Sequence, residues 1–277
     1  MSNQISTRGK TWFHLLTGTD TPQPGDPESV LVADAQIGRE LALFLCVIPN
    51  PASRFPCVRD GQVGLEEGYA LAVHVRNAIH ADRNQPKAQK RPIVAIVDVK
   101  SQAYGLREET AGIFQAAAVA ADAYASARLA GHPVIALVVG HAFSGGFLTH
   151  GYQANRILAF DDAGVIIHAM HKEAAARITR RSVRELEQLG REIAPTSYDV
   201  RDYARLGLLH KLLHIDQPLE PTDAEIALVS DAILDAIDDS RRGPLDLSIR
   251  LQSAEAKQTR RAGIAARALM ETQWRQA

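Results

Sequence analysis

Pro133-Val-Ile-Ala-Leu-Val-Val-Gly-His-Ala-Phe-Ser-Gly-Gly-Phe147 carries an unbroken apolar run into a glycine turn. Val134–Val139 has the length and β-branched content of a strand buried on both faces. Gly140–Gly146 reads as the turn, and Phe147–Gln153 as a short helix. Glycines let main-chain N–H groups converge without a Cβ in the way. A helix start adds unpaired donors and partial positive charge. Such a turn can hold an oxyanion, where losing one donor costs on the order of 10² to 10³ in rate. The same residues also read as tight strand–helix packing with Ser144 as an N-cap.

Upstream, Ile93–Val97 is a second buried-type strand, followed by Asp98-Val-Lys-Ser-Gln-Ala-Tyr-Gly105. Glu108, Glu109 and Thr110 then open a helix in which ten of the twenty residues 111–130 are alanine. That is a strong helix signal, stopped by Gly131 and Pro133. Two strand-to-helix turns about forty residues apart, joined through one helix, can lie side by side on neighbouring parallel strands.

Further out, Gly18–Ser29 reads as an exposed Pro/Gly loop, Val30–Ala33 and Leu41–Ile48 as strands, and Gly64–Ile79 as a helix. Downstream come strands Ile157–Phe160, Val165–Ile167 and Leu212–Ile215, and helices Lys172–Leu189 and Asp199–Leu206. A Thr222/Glu225 capping box opens another helix. Residues 241–277 form a helical extension with eight basic against three acidic residues. Recurring strand–turn–helix units make the class α/β, and residues 1–277 are expected to be one domain.

The 277 residues carry a net charge of −1, 46% apolar and 23% charged side chains, so a sizeable core needs no staples. Near-zero charge argues against a dedicated nucleic-acid binder. Two cysteines, Cys46 and Cys57, make neither a disulfide scaffold nor a zinc ribbon. The polar stretch from Met1 to Lys10 and the lack of long apolar runs lead to the expectation of a cytoplasmic protein without a membrane partner. No His, Cys or carboxylate set has metal spacing, so no metal is expected.

Taken as a set, Pro92–Asp98, Gln102-Ala-Tyr-Gly105, Glu108-Glu109, Val139–Gly146 and Ala204–Leu209 resemble the carboxyltransferase branch of the crotonase superfamily. Within it, they resemble the gamma subunits of biotin-independent malonate decarboxylases. The resemblance implies a crotonase-like spiral of strand–strand–helix turns, with a beta subunit supplying the other half of the site. It also implies an acyl carrier protein subunit with a CoA-derived prosthetic arm, and a transferase subunit that loads it. The reaction implied is loss of CO2 from a malonyl thioester through an enolate held by backbone oxyanion holes. Ser144, Gly145 and Gly146 would supply one pair of donors, and a pair near Gln102 and Ala103 the other, with Tyr104 and Gly105 completing the substrate-binding turn. Carboxylases tend to carry Gly-Glu-Gly-Gly where this chain has Gly140-His141-Ala142-Phe143, so biotin is not expected. Three other readings stay open: a biotin-dependent carboxyltransferase subunit, an acyl-CoA hydratase-like enzyme and a non-catalytic scaffold for the beta subunit.

Single residues carry double readings. Ser144 sits where a nucleophile elbow would put a serine, but Ala142 breaks Gly-x-Ser-x-Gly, which leaves a hydrogen-bonding or capping role. His141 lies three residues before Ser144 and can move a proton near neutral pH, or pack behind the site. His168 and His171 read as capping or surface residues as readily as site residues. The run Lys172–Arg191, with six basic and three acidic residues, is a solvated face or an electrostatic guide for an acidic carrier protein.

Overall fold

The computed structural model describes residues 5–276, so part of the polar N-terminal stretch and the ends of the expected 1–277 domain lie outside the described residues. Helix α1 (Arg8–Thr17) precedes a hairpin of β1 (Val30–Ile37) and β2 (Glu40–Val47). Helix α2 (Leu65–Ala81) leads to β3 (Ile93–Val99), then α3 (Leu106–Thr110) and α4 (Ile113–Leu129). Strand β4 (Val134–Phe143) runs directly into α5 (Ser144–Thr149), followed by β5 (Arg156–Phe160) and β6 (Ile166–His168). Helices α6 (Lys172–Thr179), α7 (Val183–Glu192) and α8 (Val200–Arg205) precede β7 (Lys211–Leu213). Helices α9 (Asp223–Arg242), α10 (Ala254–Thr259) and α11 (Arg261–Gln276) complete the chain.

The sheet order is β1-β2-β3-β4-β5-β7, antiparallel only at the β1–β2 hairpin, and β6 pairs with the far end of β4. β3 is buried throughout and β4 nearly so, as continuous apolar runs require when helices cover both faces. Trp12 and Phe13 are fully buried in the same core, so α1, which its polar flanks hid in the sequence, is an integral element. Helices α2 and α4 meet through small residues: a Cβ on Gly68 would stand 2.8 Å from the Ala116 carbonyl oxygen.

Several boundaries differ from those expected. The alanine-rich helix is two helices, because Gly112 adopts φ +87° between α3 and α4. The expected helix Lys172–Leu189 is also broken: Arg180 takes φ +55° and Ser182 caps α7 with Glu185. The first strand continues past Ala33 to Ile37 and turns through Gly38 at φ +57°. Most consequential, β4 does not end at Val139 but extends through Gly140 and His141 to Phe143, so the turn is far shorter than Gly140–Gly146.

His150, just past α5, is fully buried; its Nδ1 faces the Tyr124 hydroxyl at 2.9 Å and its Nε2 faces the Ile96 carbonyl at 2.9 Å. Burial pushes its pKa down to about 4 from an ordinary 6.5. The folded chain thus resists protonation that the unfolded chain accepts. Stability from this group is intact above pH 6.5 and is lost as pH falls towards 4, by about 3 kcal/mol at the limit. Chemical unfolding from pH 7 to pH 4 should show this loss in wild type, and His150→Gln should remove that component of the slope.

Candidate active site at the ends of two parallel strands

β3 and β4 pair in parallel, with Val97 opposite Val138 but Val99 opposite Ala142. The register shift is a bulge in β4 that sets Val139, Gly140 and His141 opposite the single Asp98, whose buried carboxylate accepts from Ser6 Oγ (2.5 Å), Gly9 N–H (3.2 Å) and His141 N–H (3.0 Å). A methyl on Gly140 would fall on that carboxylate, which gives this glycine its reason. Arg8 ties the β4 strand end to the turn between β5 and β6, through the Val139 carbonyl (3.2 Å) and Asp162 (2.8 Å). A bulge re-aims a strand end, and here it carries Ala142–Gly146 across the end of β3.

The two turns meet there. Gly146 packs so closely on the Ser101 carbonyl that no Cβ fits, and its Cβ position would lie 3.0 Å from the Gln102 nitrogen. Gly145 N–H donates to Gln102 Oε1 at 2.8 Å. Ser144 holds φ +55°, a left-handed conformation that costs a non-glycine residue on the order of 1 kcal/mol. That strain reverses the chain between β4 and α5 in a single residue.

Not every amide expected to face a ligand is available. Ala103 is buried and its N–H donates to the Val63 carbonyl (2.8 Å), while the Gly145 N–H is taken by Gln102. The Gly146 and Gln102 main-chain N–H groups donate to no described residue. Tyr104 and Gly105 follow on the outer side of this turn, with the Tyr104 ring exposed and Glu108 buried beneath Gly105. No described imidazole or carboxylate hydrogen-bonds to the Ser144 hydroxyl.

A cavity of about 320 Å³ opens beside Ser144 and Gly145, walled by Phe147, Tyr152, Ile167 and His168. His141 is not among its walls. Its ring instead packs near Phe143, which in turn packs on His171, and burial lowers its pKa against the pull of Asp98. The histidine at the cavity is His168, which stacks on Tyr198 at 3.7 Å. Its Nδ1 faces the Met170 main chain (N 3.1 Å, O 2.9 Å), which leaves Nε2 as the ring nitrogen without a described partner. Burial lowers the His168 pKa, opposed by the Met170 carbonyl. Its place at the end of β6 was the one sequence signal available. Among the described residues no group of His, Cys and carboxylates could hold a metal, and no helix is long and apolar enough to cross a membrane.

Comparison with known proteins places this geometry. Residues 58–274 match the family described as malonate decarboxylase gamma subunit, MdcE. The chain belongs to that family. A chain of a Pseudomonas malonate decarboxylase hetero-tetramer, crystallised with coenzyme A, is 50% identical and superposes with a TM-score of 0.90 over 97% of this chain and 100% of that one. A chain of the Pseudomonas MdcD-MdcE hetero-dimer is 48% identical, with a TM-score of 0.86 over 96% and 99%. The malonyl-S-ACP:biotin-protein carboxyltransferase MADD of Malonomonas rubra is 39% identical over 163 residues, 58% of this chain and 56% of the relative. This gamma subunit therefore has the crotonase-like α/β fold that the sequence motifs implied.

The contact between the turns gives a direct test. Gly146→Ala must displace the Ser101–Gln102 backbone, so it should lower unfolding free energy by about 1–3 kcal/mol. Gly263→Ala, with nothing within 4 Å, should leave it unchanged or raise it. Equal denaturation midpoints for Gly146→Ala and wild type would refute the contact.

Proposed function

We propose that this gamma subunit, with a beta subunit, decarboxylates a malonyl thioester carried on the CoA-derived arm of an acyl carrier protein. The observation that carries the reading is the meeting of the two turns beside an apolar cavity, in a chain of this family. When the malonyl C–C bond breaks, CO2 leaves and its bonding electrons pass through the α-carbon to the thioester oxygen. The Gly146 and Gln102 amide N–H groups are the main-chain donors left unspent for that oxygen. Ser144 contributes its hydroxyl to the same wall, and His168 is the group placed to hold or relay the proton that converts the enolate to the acetyl thioester. His141 supports the strand end next to Asp98. Tyr104 and Gly105 flank the path of the arm, and Ala103 anchors the turn.

Partner subunits are supported by the surface. Tyr104, Leu106, Phe114 and Leu148 lie exposed around the two turns, and α11 has no buried residue although it carries Leu269, Met270 and an 86% exposed Trp274. A beta subunit covering these groups accounts for both patches. Arg177, Arg180, Arg181, Arg184 and Arg191 are exposed and have no carboxylate partner among the described residues, which suits an acidic carrier protein. The transferase subunit that loads the carrier, the cytoplasmic location and the extent of one domain over residues 1–277 belong to the same proposal.

Carboxyl transfer to a biotin-protein is the second reading, favoured by the likeness to MADD. Co-purified with its beta subunit, this chain should release CO2 from malonyl-carrier protein at a rate unchanged by avidin, and neither chain alone should do so. Release that stops with avidin would give the carboxyltransferase reading instead. Charge reversal at Arg177 and Arg181 should slow carrier association and flatten its salt dependence; a wild-type rate indifferent to salt would contradict the steering role.

A further inference from the structure

We propose that the side-chain nitrogen of Gln102, held in place by the Gly145 amide, donates the hydrogen bond that stabilises the thioester oxygen as the malonyl carboxylate leaves. The inference rests on the decarboxylase reading above. A main-chain N–H can only donate, so the Gln102 atom 2.8 Å from Gly145 N is its oxygen. That single contact decides which way the carboxamide faces, an ambiguity that otherwise needs a whole network to resolve. Gln102 Nε2 is then the end of the carboxamide that does not bond Gly145, and it carries two hydrogens. Neither has a described partner, and the half-buried side chain keeps them accessible. The carboxamide lies along the turn, 2.9 Å from where a Gly145 Cβ would stand, beside a residue that walls the cavity. The Gly145 amide is thus not lost to the site. It polarises a carboxamide whose N–H groups become better donors.

The electron flow says which substrate oxygen this donor serves. Charge disappears from the carboxylate as CO2 forms and accumulates on the thioester oxygen. A donor on the carboxylate would stabilise the ground state, whereas one on the thioester oxygen lowers the barrier.

Kinetics of the assembled complex with malonyl-carrier protein separate the possibilities. Gln102→Glu keeps an acceptor for Gly145 N–H but cannot donate while ionised; Gln102→Met removes both functions. Both should lose on the order of 10² or more in kcat with a much smaller change in KM. Gln102→Glu should regain activity from pH 7 to pH 5, because a protonated carboxyl can donate, and Gln102→Met should not. Wild-type kcat in Gln102→Glu would make Gln102 only a cap for Gly145 and overturn the proposal. So would a gain of activity in either variant, which would make the side chain an obstruction, or a loss in Gln102→Glu that does not change with pH. A wild-type complex inactive on malonyl thioesters would instead remove the decarboxylase reading.

Discussion

Two strand ends can share a site only if their turns touch, and in this chain they touch through one hydrogen bond and one missing side chain. Gly145 N–H reaches across to the Gln102 carboxamide, and Gly146 lies against the Ser101 carbonyl where a Cβ would collide. The parallel pairing of β3 and β4 brings the turns within range, and the β4 bulge opposite Asp98 brings them together. The Asp98 carboxylate facing that bulge is buried but accepts three hydrogen bonds, which offsets a desolvation cost that would otherwise be prohibitive. Ser144 in its left-handed conformation completes the reversal. The strained Ser144 and the buried Asp98 carboxylate carry a cost that the contacts around them offset.

The chemistry inherits this economy. Decarboxylation asks little of a protein beyond a dry place for the anion and donors aimed at one oxygen, and no nucleophile is needed. The cavity beside Gly145 is walled mostly by apolar groups, which strengthens every hydrogen bond made at its rim. The rest of the molecule serves rigidity: apolar strands, the Gly68–Ala116 helix contact and a neutral His150 clamp under α5 hold the strand ends from below.

The existence of strands β3 and β4, helices α2 and α9 and the adjacency of the two turns were legible in the sequence, because continuous apolar runs and capping boxes are local signals, but the end of β4 and the extent of the glycine turn were not. α1 was not, since Trp12 and Phe13 are core residues between polar neighbours and only tertiary packing reveals them. The break at Gly112 was masked by the helix propensity of the alanines around it. At the candidate site, the sequence singled out Gly145, Gly146 and Gln102, but which of their amides are already bonded was not legible. Ala103 bonds to Val63 and Gly145 to a side chain, and those partners lie far away in sequence. His141 and His168 exchanged expected prominence for the same reason: the extension of β4 draws His141 towards Phe143, while β6 delivers His168 to the cavity.

The most direct measurement is a crystal structure of the assembled complex with an unreactive malonyl-thioester analogue. The account requires the thioester oxygen to lie about 2.7–3.1 Å from Gln102 Nε2, with the Gly145–Gln102 bond intact. A ligand oxygen bound directly to Gly145 N–H, with the Gln102 side chain swung out of the turn, would contradict it.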